Sequence, residues 1–201
     1  MNLFIFDEDF ELNARSHPDK LVVKMPLEAS QLISNAITSL GFAALQKKDG
    51  ESYGVTHRNH PSCLWLKQSR PNLIWGIKYF DALVKEYERR YNKTSVHNKN
   101  LAYLEKCFSF RDYGKKPSSY SVVINPFWIE CFSIDGHISA DVDLRNVELS
   151  LAVKLYRLYL KYAKTAYSEW RYSMPPSWWM EDLSDGSKFY GRFSKLSYGS
   201  V

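Results

Sequence analysis

Ser69-Arg70-Pro71-Asn72-Leu73-Ile74-Trp75-Gly76-Ile77-Lys78-Tyr79-Phe80-Asp81-Ala82-Leu83-Val84-Lys85-Glu86-Tyr87-Glu88-Arg89-Arg90-Tyr91 is the stretch whose periodicity decides the fold class. Leu73, Ile77, Phe80, Val84, Tyr87 and Tyr91 recur at alternating steps of four and three. That spacing lines up one apolar face of an α-helix and cannot line up one face of a strand. Ser69-Arg70-Pro71 reads as the start, because a proline in the first turn gives up an N–H that has no partner there anyway. Asn92-Lys93-Thr94 reads as the stop.

Working outward, the helical pattern recurs on both sides. Toward the N-terminus, Ser16-His17-Pro18-Asp19 looks like a second start, with Ser16 as cap. That helix should run to Leu40 and stop at Gly41, kinked or split at Pro26. Toward the C-terminus, Ala152, Leu155, Tyr159, Tyr162, Ala166 and Trp170 form a stripe that predicts a helix from about Arg145 to Trp170, closed off before Pro175-Pro176. A shorter helix is expected over 97–108. Residues 46–60 read as a polar loop, and 109–142, with their glycines and prolines, as the least regular segment. Residues 2–6 are apolar and predict a short extended arm or strand. The expected fold is therefore all-α or mainly α: a compact helical domain over 1–181 with three long helices and an extended N-terminal arm. Residues 182–201, rich in Ser and Gly, should form a flexible basic and aromatic tail.

A hydrophobic content of 45% with six tryptophans is ample for a core without disulfides or metals. Cys63, Cys107 and Cys131 are odd in number and lack Cys-x-x-Cys spacing, which suits a reducing compartment and argues against a thiolate metal site. The opening Met1-Asn2-Leu3-Phe4-Ile5-Phe6-Asp7-Glu8-Asp9 is apolar and then acidic, the reverse of a secretory signal, so a cytoplasmic location is expected. No run approaches the ~20 apolar residues of a membrane span, so no membrane partner is expected. A net charge of +5 favours polyanions, although many proteins without such partners are as basic.

Several residue sets could carry chemistry. Lys154, Arg157, Lys161 and Lys164 recur at helical pitch on one face, the spacing needed to neutralise phosphates; an ordinary solvated face is the alternative. Lys188, Phe189, Tyr190, Arg192, Phe193, Lys195 and Tyr198 mix cations and rings in the tail, as single-strand binders do. His57-Arg58-Asn59-His60 before Pro61 gathers polar groups able to contact a phosphate or base, or simply to organise their own loop. No third ligand sits at metal-binding spacing beside His57 and His60, so no metal and no cofactor are expected. Asp7-Glu8-Asp9 reads as a surface acidic turn. On the first long helix Lys20, Lys24, Glu28 and Gln31 share one polar face just after Asp19, as a site or as a solvated ion-paired surface.

Asp19-Lys20-Leu21-Val22-Val23-Lys24-Met25-Pro26-Leu27-Glu28-Ala29-Ser30-Gln31-Leu32 resembles a signature of uncharacterised bacteriophage proteins. So do Asn59-His60-Pro61-Ser62-Cys63-Leu64-Trp65, Glu86-Tyr87-Glu88-Arg89-Arg90-Tyr91, Tyr156-Arg157, Trp170 and Pro176-x-Trp178. The likeness covers most of the chain. More remotely, roughly residues 15–92 are similar to the pyrimidine-dimer DNA glycosylases of the phage endonuclease type, compact helical proteins that flip a base and cleave its glycosidic bond. That resemblance implies an N-terminal α-amine as nucleophile and, counting from Asp19, Glu28 as the carboxylate that assists ring opening. Two positions depart from it: Asn2 stands where a small residue would let the initiator Met be removed, and Leu21 stands where a histidine is usual. The resemblance thus implies a phage protein of the host cytoplasm that acts, or once acted, on a flipped base by glycosylase/lyase cleavage or by a transfer that modifies the base. Glu28 would be catalytic; Asn2, Asp19, Lys20, Lys24, Gln31, His57, Arg58, Asn59 and His60 would line the pocket; Lys154, Arg157, Lys161 and Lys164 would grip DNA. A non-enzymatic protein that sequesters a small nucleotide signal against host defence, with pockets between subunits of a homo-oligomer, uses the same residue types. A protein-interaction module using the tail with Trp178 and Trp179 is the third reading.

Overall fold

The computed structural model describes residues 1–110, 115–139 and 141–181. The tail expected at 182–201 lies outside the described residues. The chain is mainly α, with eight α-helices among the described residues and no strand there beyond the isolated bridges Gln46–Ser52 and Tyr120–Val147.

The helices are α1 (Phe10–Ser16), α2 (Asp19–Thr38), α3 (Pro61–Gln68), α4 (Arg70–Tyr91), α5 (Asn98–Phe108), α6 (Pro126–Ile134), α7 (Leu149–Ala163) and α8 (Ser177–Glu181). α4 begins and ends where its sequence predicts: Ser69 accepts the Asn72 N–H at 3.2 Å, and Asn92 turns the chain into the left-handed region at φ 49°. Its buried surface is wider than one stripe, because Ile74, Trp75, Tyr79, Leu83, Glu86 and Arg90 are buried as well. α4 is the central helix, packed by α1, α2, α3 and α5. At Gly76 a Cβ would run into Leu66 Cδ2, so the missing side chain lets α3 close on α4.

The first helical segment differs from its expectation. Asp9 caps a separate helix, α1, by accepting from the Glu11 and Leu12 N–H groups at 2.9 Å each. Ser16 is the last residue of α1 rather than a cap; Pro18 starts α2, which runs unbroken through the buried Pro26. α7 is also shorter than its apolar stripe. It stops at Ala163, followed by a 3-10 turn over Thr165–Tyr167, because Glu169 and Arg171 leave to bond the start of α2. Asp19 N–H donates to Glu169 O at 2.8 Å and Arg171 N–H donates to Asp19 Oδ2 at 2.6 Å. α6 lies inside the span expected to be least regular, with Asn125 accepting from the Phe127 N–H.

One hydrophobic cluster joins Leu3, Ile5 and Phe6 to α2, α4, α7 and Trp179. The N-terminal arm is extended and runs through this core rather than along its outside. Phe6 N–H donates to Asn13 Oδ1 at 2.7 Å, and Phe6 O accepts from Arg157 Nε at 2.7 Å. At the centre sits His17, fully buried, with Nδ1 2.8 Å from Asn13 O and Nε2 3.2 Å from the Tyr79 hydroxyl. No helix among the described residues is long and apolar enough to cross a membrane.

Candidate functional site

The polar face of α2 and the first residues of the arm meet at Glu28. This carboxylate is only 8% exposed, an unusual place for a charge unless it is bonded on several sides. Its Oε2 accepts the Asn2 N–H at 3.0 Å, its Oε1 pairs with Lys24 Nζ at 2.8 Å, and the nitrogen of Met1 lies 3.9 Å away. Lys24 is one helical turn before Glu28 and stays largely in solvent.

Asn2 is fixed by a second layer. Its Nδ2 donates to Val123 O at 2.6 Å and its Oδ1 accepts from the Tyr156 hydroxyl at 2.7 Å. The same hydroxyl accepts the Val123 N–H at 2.9 Å, so α7 and the segment before α6 jointly set the arm. Burial pushes the Tyr156 phenol above its ordinary range and keeps it a neutral donor.

His60 closes the other side. As the N-cap of α3 its Nδ1 accepts the Ser62 N–H at 3.2 Å, and its ring also bonds the backbone of Met1. Burial lowers its pKa first, and the positive nitrogen of Met1 and His57 lower it further, so the ring is neutral at pH 7. A buried carboxylate beside the nitrogen of Met1 is a pairing that acid/base chemistry can use, and the neutral imidazole holds the arm in place beside it.

The structure thus brings together Asn2, Lys24, Glu28 and His60. Gln31 is half-buried one turn beyond Glu28, while His57, Arg58 and Asn59 are exposed in the preceding loop, His57 with a left-handed backbone at φ 59°. Asp19 is placed elsewhere: Arg90 Nη1 donates to it at 2.9 Å, and Arg90, whose side chain is fully buried, also pairs with Glu86. Lys20 lies on the outer face of α2, its Nζ 5.3 Å from the Tyr167 ring centroid.

The basic row on α7 does not act as one free face. Arg157 ties Phe6 O and Asp7 to α7, and its guanidinium sits 4.9 Å over Trp178. Lys161 faces the same ring at 5.8 Å, and Lys154 donates to His137 O. Lys164 is exposed beyond the last turn. Among Asp7, Glu8 and Asp9, Asp7 holds Arg157 and Asp9 caps α1, so these two are structural. Among the described residues no group of three or more His, Cys, Asp or Glu gathers as metal ligands would. A groove of about 340 Å³ between α1 and α4, lined by Phe10, Lys78, Lys85, Glu86 and Arg89 among others, holds none of the residues expected to form the pocket or to grip phosphates.

Tyr156 and Met1 were not singled out as site residues. Tyr156 sits at a buried position of α7 and Met1 joins the site only through the fold, so neither carries a local signal. No protein-family model matches the chain, nor does any curated protein or any solved structure.

Proposed function

We propose that this chain binds DNA and acts on a base flipped out of the duplex, with Glu28 as its acid/base group. The observation that supports this most is the meeting of Glu28 with the first two backbone nitrogens of the chain, at 3.9 Å for Met1 and 3.0 Å for Asn2. Lyase chemistry of the kind the glycosylase resemblance implies needs an amine beside a carboxylate. The amine attacks C1′, the base leaves with the electrons of the glycosidic bond, and ring opening yields an imine to the sugar. Asn2 stands in the way of removing Met1, yet the nitrogen of Met1 already lies beside Glu28, so retention of Met1 does not take an amine away from the carboxylate. His60, with Nδ1 taken by the Ser62 N–H and its ring bonded to the Met1 backbone, holds the arm beside Glu28. Lys24, exposed at the rim, is placed to meet a phosphate of the flipped nucleotide. On this reading the protein belongs to bacteriophage biology and works in the host cytoplasm. A transfer that modifies the base would use the same carboxylate.

The test has two steps. Labelled duplex DNA is titrated with protein at low and moderate salt, with small nucleotides as competitors. Binding that weakens steeply with salt is expected, because phosphate contacts release counterions. Borohydride is then used to trap an imine between protein and damaged or modified DNA, with intact-mass analysis to locate it, and Glu28→Gln should abolish the adduct. Equal trapping by Glu28→Gln, or tight retention of a small nucleotide without DNA binding, overturns the proposal; the second result makes the protein a sequestering one.

A further inference from the structure

α2 continues past Glu28 toward its N-terminus, carrying Lys24 and then Lys20 on the same exposed face. Lys20 lies eight residues from Glu28, about 12 Å along the helix at ~1.5 Å per residue. At Lys20 the fold adds a second cation from a remote part of the chain. Lys164, just after α7, joins Lys20 and Tyr167 around a shallow recess of about 60 Å³ floored by Phe4, Leu21 and Leu160. The recess is too small for a base or a sugar, so it is a surface contact rather than a pocket.

Its charge is uncompensated. No carboxylate lines it, and the nearest acidic residues in sequence are already committed, Asp19 to Arg90 and Glu169 to Arg171. Lys20 and Lys164 are exposed, and each is set over a tyrosine ring, Lys20 at 5.3 Å from Tyr167 and Lys164 at 5.7 Å from Tyr159. Such contacts orient an ammonium without neutralising it. The recess also connects to Glu28 through the arm: Phe4, on its floor, is two residues from Asn2 and packs edge-on against Tyr156 at 5.4 Å.

We propose that Lys20 and Lys164 form a phosphodiester clamp that holds the DNA strand beside the nucleotide presented to Glu28. The proposal rests on the DNA reading above. The distance fits it: 12 Å is the axial length of three to four phosphates of one strand, at about 3.4 Å each. The clamp joins α2 to the residue that follows α7 rather than using one row on α7, and it fixes the strand's direction relative to the carboxylate.

The experiment is a salt titration of duplex binding by fluorescence anisotropy, with full-length protein, for wild type, Lys20→Ala/Lys164→Ala and, as control, Lys85→Ala on α4. Losing two phosphate contacts should reduce the slope of log affinity against log salt by about 1.8, at ~0.9 per contact. Lys85→Ala should leave the slope unchanged, and melting curves should show all three proteins folded. A double variant with the wild-type slope, or an equal loss in Lys85→Ala, overturns the clamp while leaving the DNA reading standing. Absence of salt-dependent binding by wild type overturns both.

Discussion

Lowering the pH from 8 to 5 should destabilise this protein, most strongly through His17, whose pKa burial depresses furthest. It is fully buried, and burial drives its pKa from 6.5 down to about 3, with Arg90 adding to the fall and the bond to Asn13 opposing it. The folded state therefore holds a neutral imidazole while the unfolded chain takes up a proton below pH 6.5. The sign follows: stability is complete above 6.5 and drains away as the pH falls toward 3. At pH 5 the unfolded histidine is 1.5 units below its own pKa, which corresponds to about 2 kcal/mol lost relative to pH 8. The geometry explains why the proton cannot be accommodated. Both ring nitrogens face neutral groups, Asn13 O at 2.8 Å and the Tyr79 hydroxyl at 3.2 Å, so neither neighbour supplies a negative charge to offset burying an imidazolium. Urea unfolding of wild type and His17→Gln at both pH values isolates the effect, because other titrating groups cancel in the difference. The variant should lose roughly 2 kcal/mol less than wild type between pH 8 and 5. A stability gap between the two proteins that is the same at both pH values would refute the reasoning.

Three further outcomes are expected. Arg90→Met should cost about 3 kcal/mol in urea unfolding, because Glu86 and Asp19 are left buried with charge and one partner fewer; a cost under about 1 kcal/mol would show that the pair is hydrated or dispensable. Gly76→Ala should lower stability despite alanine's better helix propensity, as its Cβ meets Leu66. In a Leu66→Ala background the same change should turn neutral or stabilising, and a double-mutant cycle reads the difference. Tyr156→Phe leaves the Val123 N–H and Asn2 Oδ1 short of a partner, so it should cost about 1–2 kcal/mol and lower the melting temperature by roughly 3–6 °C.

α4 was legible in the sequence because its signals agree: Ser69 as cap, Pro71 in the first turn, a sustained apolar face and Asn92 as stop. The end of α7 was not legible. Its apolar spacing continues through Ala166 and Trp170, and nothing local says that Glu169 and Arg171 are drawn away to bond Asp19, about 150 residues earlier in the chain. α1 was missed although its cap was visible, since Asp9 sits in an acidic trio that reads as a surface turn until its N–H partners are known. At the candidate site, the common face of Lys20, Lys24, Glu28 and Gln31 followed from helical pitch alone. That the chain's first residues lie against Glu28 did not, because it depends on bonds from Asn2 to Val123 and Tyr156, across 121 and 154 residues. Arg157 illustrates the same limit: a cation at phosphate-gripping pitch is spent on Phe6 and Asp7.

The buried arm has a consequence for how the chain is made. Residues 1–6 are synthesised well before the groups that enclose them, Val123, Tyr156 and Arg157, which lie more than a hundred residues later in the chain. Their docking cannot begin until α7 has emerged, so for most of synthesis the segment Leu3-Phe4-Ile5-Phe6 is unburied and must avoid pairing with other chains. Closing a loop of some 150 residues is entropically slow compared with forming the local α3–α4 pair. Seating the arm is the event that sets Asn2 against Glu28, so a chain interrupted before Tyr156 has its longest helices encoded but no assembled site.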